Sequence, residues 1–364
     1  MKINELITYL EDIIPLSSQE SYDNCGLLIG NSKAELKNVL VTLDCTEAVV
    51  QEAIDKGCNL IIAHHPIIFK GIKSLTGSNY IERTVIACIK NDIALYAIHT
   101  NLDNFQFGVN KEIASRLGLK NLRILEPKTD VLYKLVVFVP ETHHDQLSKA
   151  VFSAGAGTIG NYEECQFVSE GIGTFKPKEG ASPFTGELDE LSQIKELKAE
   201  FLVSSHRLRK VIKAMNDSHP YEEVAHDIIP LKNVNQNEGS GMIGEFEMAM
   251  DESEILKKIK STFNCGIIRH TNLRNKPIKT VALCGGSGSF LLRKSIAEQA
   301  DIFITSDFKY HEFFDAEDEI LIADIGHYES EQFTSNLLTA ILKGKFTTFA
   351  VHLTGVNTNP INYF

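Results

Sequence analysis

Between Asn38 and Thr100, short continuous apolar runs alternate with stretches whose apolar positions recur every three or four residues. "NVLVTLD" (38–44), "NLIIAHH" (59–65) and "IALYAIHT" (93–100) are aliphatic runs suited to strands covered on both faces. "TEAVVQEAIDKG" (46–57) and "IERTVIACIKND" (81–92) carry the helical period. Strand, helix, strand, helix, strand is the pattern of parallel βαβ units. From about residue 131 the texture changes. "LYKLVVFVP" (132–140) opens a segment that predicts strand, helix, strands, helix and a last strand, the content of a ferredoxin-like unit. The polar stretch "KNVNQNEGSG" (232–241) closes it, and "KTVALCGGSGSFLLRKSIAEQADIFITSDF" (279–308) returns to α/β texture.

Laid without gaps over residues 37–66, residues 279–308 bring strand, helix and strand into register although few residues coincide. The following strands, "IALYAIHT" and "ILIADIGH" (320–327), agree as well. The chain therefore reads as two similar α/β lobes, residues 1–128 and 234–364, interrupted by an α+β insert over 129–233.

Composition narrows the function classes. With 364 residues, 43% of them hydrophobic, there is material for more than one core. A formal charge of −12 argues against a nucleic-acid backbone as main partner, since phosphate neutralisation needs a basic face. Small molecules or proteins are the expected ligands. No apolar run approaches the ~18 residues of a membrane span, and the first residues lack the basic start and unbroken apolar run of a signal peptide. Seven scattered cysteines without a C-x-x-C pair suggest neither a disulfide framework nor a thiolate zinc site, which fits a reducing cytoplasm.

The candidate chemistry lies at strand ends. His64 and His65 follow the second strand, where open α/β sheets place ligands, and neighbours at a strand exit diverge and can serve two ions. The next strand ends in "IHTNLDNF", giving His99 and Asp103. The last ends in "DIGHYESEQF", giving His327 and Glu331, which stack on one face if a helix begins at His327. Imidazole and carboxylate without thiolate suit two divalent ions per chain, zinc first, with iron, manganese, cobalt or nickel as alternatives. Either Asp103 or Glu331 can bridge a pair ~3.5–4 Å apart. Hydrolysis by metal-activated water follows. His99 is expected to orient a ligand or touch substrate. Asp307 and His311, at the counterpart of His64 and His65 in the repeat, are candidates for the same roles. "CGGSGSF" (284–290) suits either a tight turn or a phosphate-holding loop. His219, Glu222 and Glu223 in "SHPYEEVAHDI" are read as a helix entry after Ser218 and Pro220, with acids in its first turn.

The ordered set "YDNCGLLIG", "AHHPIIF", "HTNLDNF", "GGSGSF", "SDFKYHEFFDA" and "GHYESE" resembles the NIF-three-like dinuclear metal-centre proteins, many of which carry the name GTP cyclohydrolase 1 type 2 homologue. The insert with "SHPYEEVAHDIIPL" resembles the PII- or CutA-like domain of longer bacterial members. The resemblance covers nearly the whole chain and implies metal ligands at His64, His65, Asp103, His327 and Glu331. It also implies a toroidal homohexamer with sites facing an internal cavity, and ring-opening hydrolysis of a purine nucleotide, GTP. Two other readings stand beside that one: a metal-dependent phosphoesterase, and a non-catalytic metal-binding or regulatory assembly. Where the family often has tryptophan, this chain has Tyr22, for which a packing role is expected. Asp23 and Asn24 after it form a turn or reach the site.

Overall fold

Val39–Thr42, Leu60–Ala63 and Ala94–Ala97 pair side by side in parallel, and their residues alternate between two apolar layers. Val39, Val41, Leu60, Ile62, Ala94 and Tyr96 face the central core; Leu40, Ile61, Ala63 and Leu95 face the helices Glu47–Asp55 and Tyr80–Lys90. Burial on both faces is why these runs lack polar alternation. Both helix starts are capped by side chains, with Thr46 accepting from Val49 N and Asn79 from Glu82 N.

The computed structural model describes all 364 residues. They fall into two compact units, residues 1–127 with 237–364, and residues 128–236. The first unit contains two mixed sheets built alike. In one, the antiparallel strand Gly26–Ile29 flanks the parallel trio on the side of Ala94–Ala97. In the other, Ile278–Ser287, Ile302–Ser306 and Leu321–Asp324 form the parallel trio, and the short strand Arg269–His270 flanks it in the same way. The central core takes Val281, Leu283, Ile302, Ile304, Leu321 and Ala323 from the second trio, with helices Ile3–Ile13, Val109–Leu117, Glu252–Thr262 and Thr334–Lys345.

At their remaining edges the sheets exchange chain. Val351–Leu353, from the C-terminal half, pairs in parallel with Val39–Thr42, whereas Lys120–Lys128, from the N-terminal half, lies beside Asn235–Met250 in the second sheet. A clean partition at residues 128 and 234 misses this exchange. Each half covers an edge that the other would leave unpaired.

The second unit is a four-stranded antiparallel sheet ordered Gln166–Phe175, Ser192–Ser204, Leu132–Pro140, His226–Leu231. Helices His144–Ser153 and Ser205–Ser218 pack on one face through Leu147, Val151, Val211 and Met215. That strand order is the ferredoxin-like one. The expected helix entry at Ser218 is corrected: the helix ends there, and His219–Val224 is a turn. The carbonyl of Phe138 accepts from Nε2 of the buried His219, whose Nδ1 accepts from Tyr221 N. No helix in the chain is long and apolar enough to cross a membrane.

Candidate metal centre

The parallel ladder runs on past Ala63, because His64 N and His65 N donate to the carbonyls of Thr42 and Leu43. The pleat then sends the two imidazoles apart. His64 is fully buried and its Nδ1 lies 2.8 Å from the carbonyl of Ile98. A carbonyl only accepts, so this nitrogen carries the proton and Nε2 presents a lone pair. Nε2 finds no hydrogen-bond partner, and neither does Oδ1 of Asp103, 3.6 Å away; Glu331 Oε1 is at 3.8 Å from the same nitrogen. Buried polar atoms without partners are costly and rare.

The spacing fits an ion. Two ligand atoms about 2.1 Å from one tetrahedral ion sit roughly 3.4 Å apart. His64 Nε2, Asp103 and Glu331 thus form one triad. His65, His327 and Glu331 form a second. Oε2 of Glu331 is 2.9 Å from His65 Nε2 and 3.1 Å from His327 Nε2, and those two nitrogens are 3.4 Å apart. Glu331 faces one triad with each oxygen, so of the two candidate bridging carboxylates it is the one placed to bridge.

Every imidazole is held from behind by oxygen. Asp44 Oδ1 takes His65 Nδ1 at 2.8 Å, Asp307 Oδ2 takes His327 Nδ1 at 2.6 Å, and Asp23 Oδ1 takes His99 Nδ1 at 2.9 Å. Such partners fix ring orientation and aim Nε2 at the cluster. The electrostatics follow from burial and carboxylates. Burial holds His64 down, to about 4, against the pull of Glu331. Burial also disfavours charge on His65 and His327, but Asp44 and Glu331 outweigh it for His65, held at about 10, and Glu331 and Asp307 for His327, held at about 11. Burial and then the charge of Glu331 push Asp103 well above the carboxylate range. Burial opposes the charge on Glu331 too, yet His327 and the other imidazoles keep it well below that range.

Local chain geometry explains how these groups arrive. Asp103 ends a one-turn helix, Thr100–Asp103, and His327 starts another, His327–Glu331, which stacks the pair at i, i+4. Asp307 sits at φ +60°, a left-handed conformation unusual outside glycine, and the turn aims its carboxylate at His327. Of the two roles open to Asp307, orienting a ligand or touching substrate, this contact is the orienting one. His311 is not brought to the cluster; it packs on Tyr310 and Phe314 in the Tyr310–Ala316 turn. Cys284–Ser287 of "CGGSGSF" end the strand Ile278–Ser287 and form the floor of the site, and Ser289 and Phe290 open a single helical turn beyond it. Gly286, at φ +61°, donates its N–H to Ser330 Oγ, and a Cβ there would lie 2.3 Å from Glu331 Oε1.

Tyr22 is corrected as well: it is 68% exposed and lines the cavity beside the cluster instead of packing in a core. Asp23 is the orienter of His99, and Asn24 Nδ2 donates to the carbonyl of Ile68. Sequence reasoning missed Asp44 and Thr358. Thr358 donates to Asp44 Oδ2 at 2.7 Å and so ties the C-terminal segment to the orienter of His65. Asp44 closes its own strand run, and the rule that found His64 could have found it. Thr358 carries no such mark.

A family model described as DUF34/NIF3 (NGG1p interacting factor 3) matches residues 1–360. A Staphylococcus epidermidis protein named GTP cyclohydrolase 1 type 2 homolog is 37% identical over 367 residues, with both chains fully covered. A Halalkalibacterium halodurans protein of the same name is 40% identical over 363 residues, covering 98% of each chain. The crystal structure of a Bacillus cereus protein related to NIF3 superposes with a TM-score of 0.88 at 36% identity, covering all of this chain and 99% of that one. From its first residue to Pro360, at matching length and with matching fold, the chain belongs to the DUF34/NIF3 family.

Proposed function

We propose that the protein is a dinuclear metal-dependent hydrolase acting on a purine. The observation that carries this reading is the convergence of imidazole Nε2 atoms on the buried Glu331 and the half-buried Asp103, with His64 Nε2 and Asp103 Oδ1 left without partners. His64, Asp103 and Glu331 would hold one divalent ion, and His65, His327 and Glu331 the other. A bound pair supplies a Lewis acid for the electrophile and water acidified toward neutrality. The chain's own part is to fix the ligands through Asp44, Asp307 and the Ile98 carbonyl. His99, anchored at Nδ1 by Asp23, leaves Nε2 to carry a proton beside His64 and His65. The purine comes from the name of the relatives, and the aromatic walls of the cavity suit a base. In the same reading the insert is a PII- or CutA-like control module and the molecule assembles as a hexamer.

The test is to load the protein with zinc, manganese or iron and incubate it with GTP, guanosine and, separately, a phosphodiester. Formate release above a His327→Ala control is the expected result. Cleavage of the phosphodiester alone would favour a phosphoesterase, and neither product would leave a metal-binding assembly as the function.

A further inference from the structure

The cavity beside the cluster measures about 880 Å³, within the range of small-molecule sites. Tyr22, Phe69, Tyr80, Phe290 and Ile361 line it, and all five are exposed. The acids lining it are Glu20, Asp44, Asp103 and Glu331, and no lysine or arginine is among the lining residues. Two divalent ions would balance those four carboxylates and leave nothing over. A triphosphate brings about four negative charges, and phosphate recognition ordinarily rests on Arg or Lys. Here the only cations it would meet are the two ions, whose charge the carboxylates already balance, and beyond them lie carboxylates and aromatic faces. Aromatic walls with neutral donors such as Asn359 and Ser287 are instead suited to a flat, uncharged ring.

We propose that the cavity takes a purine nucleoside or free base and discriminates against the nucleoside triphosphate. This rests on the metal-site reading above and gives that site its substrate class. The discrimination is electrostatic, so the phosphates lower affinity where in a nucleotide site they would raise it.

The test uses full-length protein whose metal content is measured first. Binding of guanosine, GTP and inorganic tripolyphosphate is then followed by calorimetry, for the wild type and for Phe290→Ala. Guanosine is expected to bind at least tenfold more tightly than GTP, and tripolyphosphate is expected not to displace it. Phe290→Ala should weaken guanosine at least tenfold with unchanged metal content. Metal-loaded protein that binds GTP tenfold more tightly, or binds no guanosine, overturns the proposal and leaves the metal site standing. Protein that takes up no metal removes the reading beneath it and the proposal together.

Discussion

Asp44 touches no atom that would bind metal through its own side chain, yet it decides where His65 Nε2 points. Its Oδ1 holds the ring and its Oδ2 is held in turn by Thr358. Asp44→Asn keeps the size and removes the charge behind His65, and loss of such an orienter ordinarily costs about 10–100-fold in metal affinity. Chelator competition should show one of two ions weakened by that factor with stoichiometry unchanged; equal affinity at both sites would remove Asp44 from the account. At this scale the sequence disclosed the groups that converge. His64, His65, Asp103, His327 and Glu331 each sit at or just beyond a strand end, where neighbours in the sheet share an edge. It did not disclose what stands behind them. Asp23 lies 76 residues from His99, and Thr358 lies 314 from Asp44. Such pairings follow from the folded path of the chain and leave no local period.

Gly286 connects an element to the site. Its φ of +61° disfavours any side chain by roughly 1–2 kcal/mol, and a methyl group would also strike Glu331. Gly286→Ala is expected to lower stability by about that amount and to lose metal without altering a ligand. An alanine variant that keeps both ions would contradict the floor assigned to this strand end. The segment between His65 and the helix Tyr80–Lys90 is pinned differently. Glu82 is buried and accepts from Thr76 N and Oγ1, Ser78 N and Oγ, and Asn79 Nδ2. These donors, the Thr76 hydroxyl first, lower its carboxyl to about 2 from 4.5. A depressed carboxylate stabilises the fold above its unfolded value, and the contribution fades as pH falls from about 4.5 to about 2. Unfolding midpoints of wild type and Glu82→Gln should therefore differ at neutral pH and converge across that acid window. A gap that persists at the acid end would mean the role is not electrostatic. The strands and the helices after Thr46 and Asn79 were legible because continuous apolar runs and the helical period alternate without overlap. The end of the helix at Ser218 was not, because Ser-x-Pro with following acids marks helix starts and, here, a turn after a helix stop.

On the scale of the whole molecule, two similarly ordered sheets meet around one centre while residues 128–236 form a unit of their own. The chain leaves along Lys120–Lys128 and returns along Asn235–Met250, which are neighbours in one sheet. Replacing residues 131–232 by a short Gly/Ser linker should therefore close a hairpin and leave a folded core that binds both ions. A folded, metal-free product would show that the insert contributes to the centre. The exchange of edge strands between halves was hidden because a three-residue strand such as Val351–Leu353 has too little sequence to declare a partner.

If the proposed function holds, Glu331 would hold two ions, one facing each oxygen. Anomalous diffraction from crystals of the metal-loaded protein tests it most directly. Two peaks are expected, one among His64, Asp103 and Glu331 and one among His65, His327 and Glu331, with both lost in Glu331→Gln. A single peak, or two that survive that substitution at full strength, would contradict it.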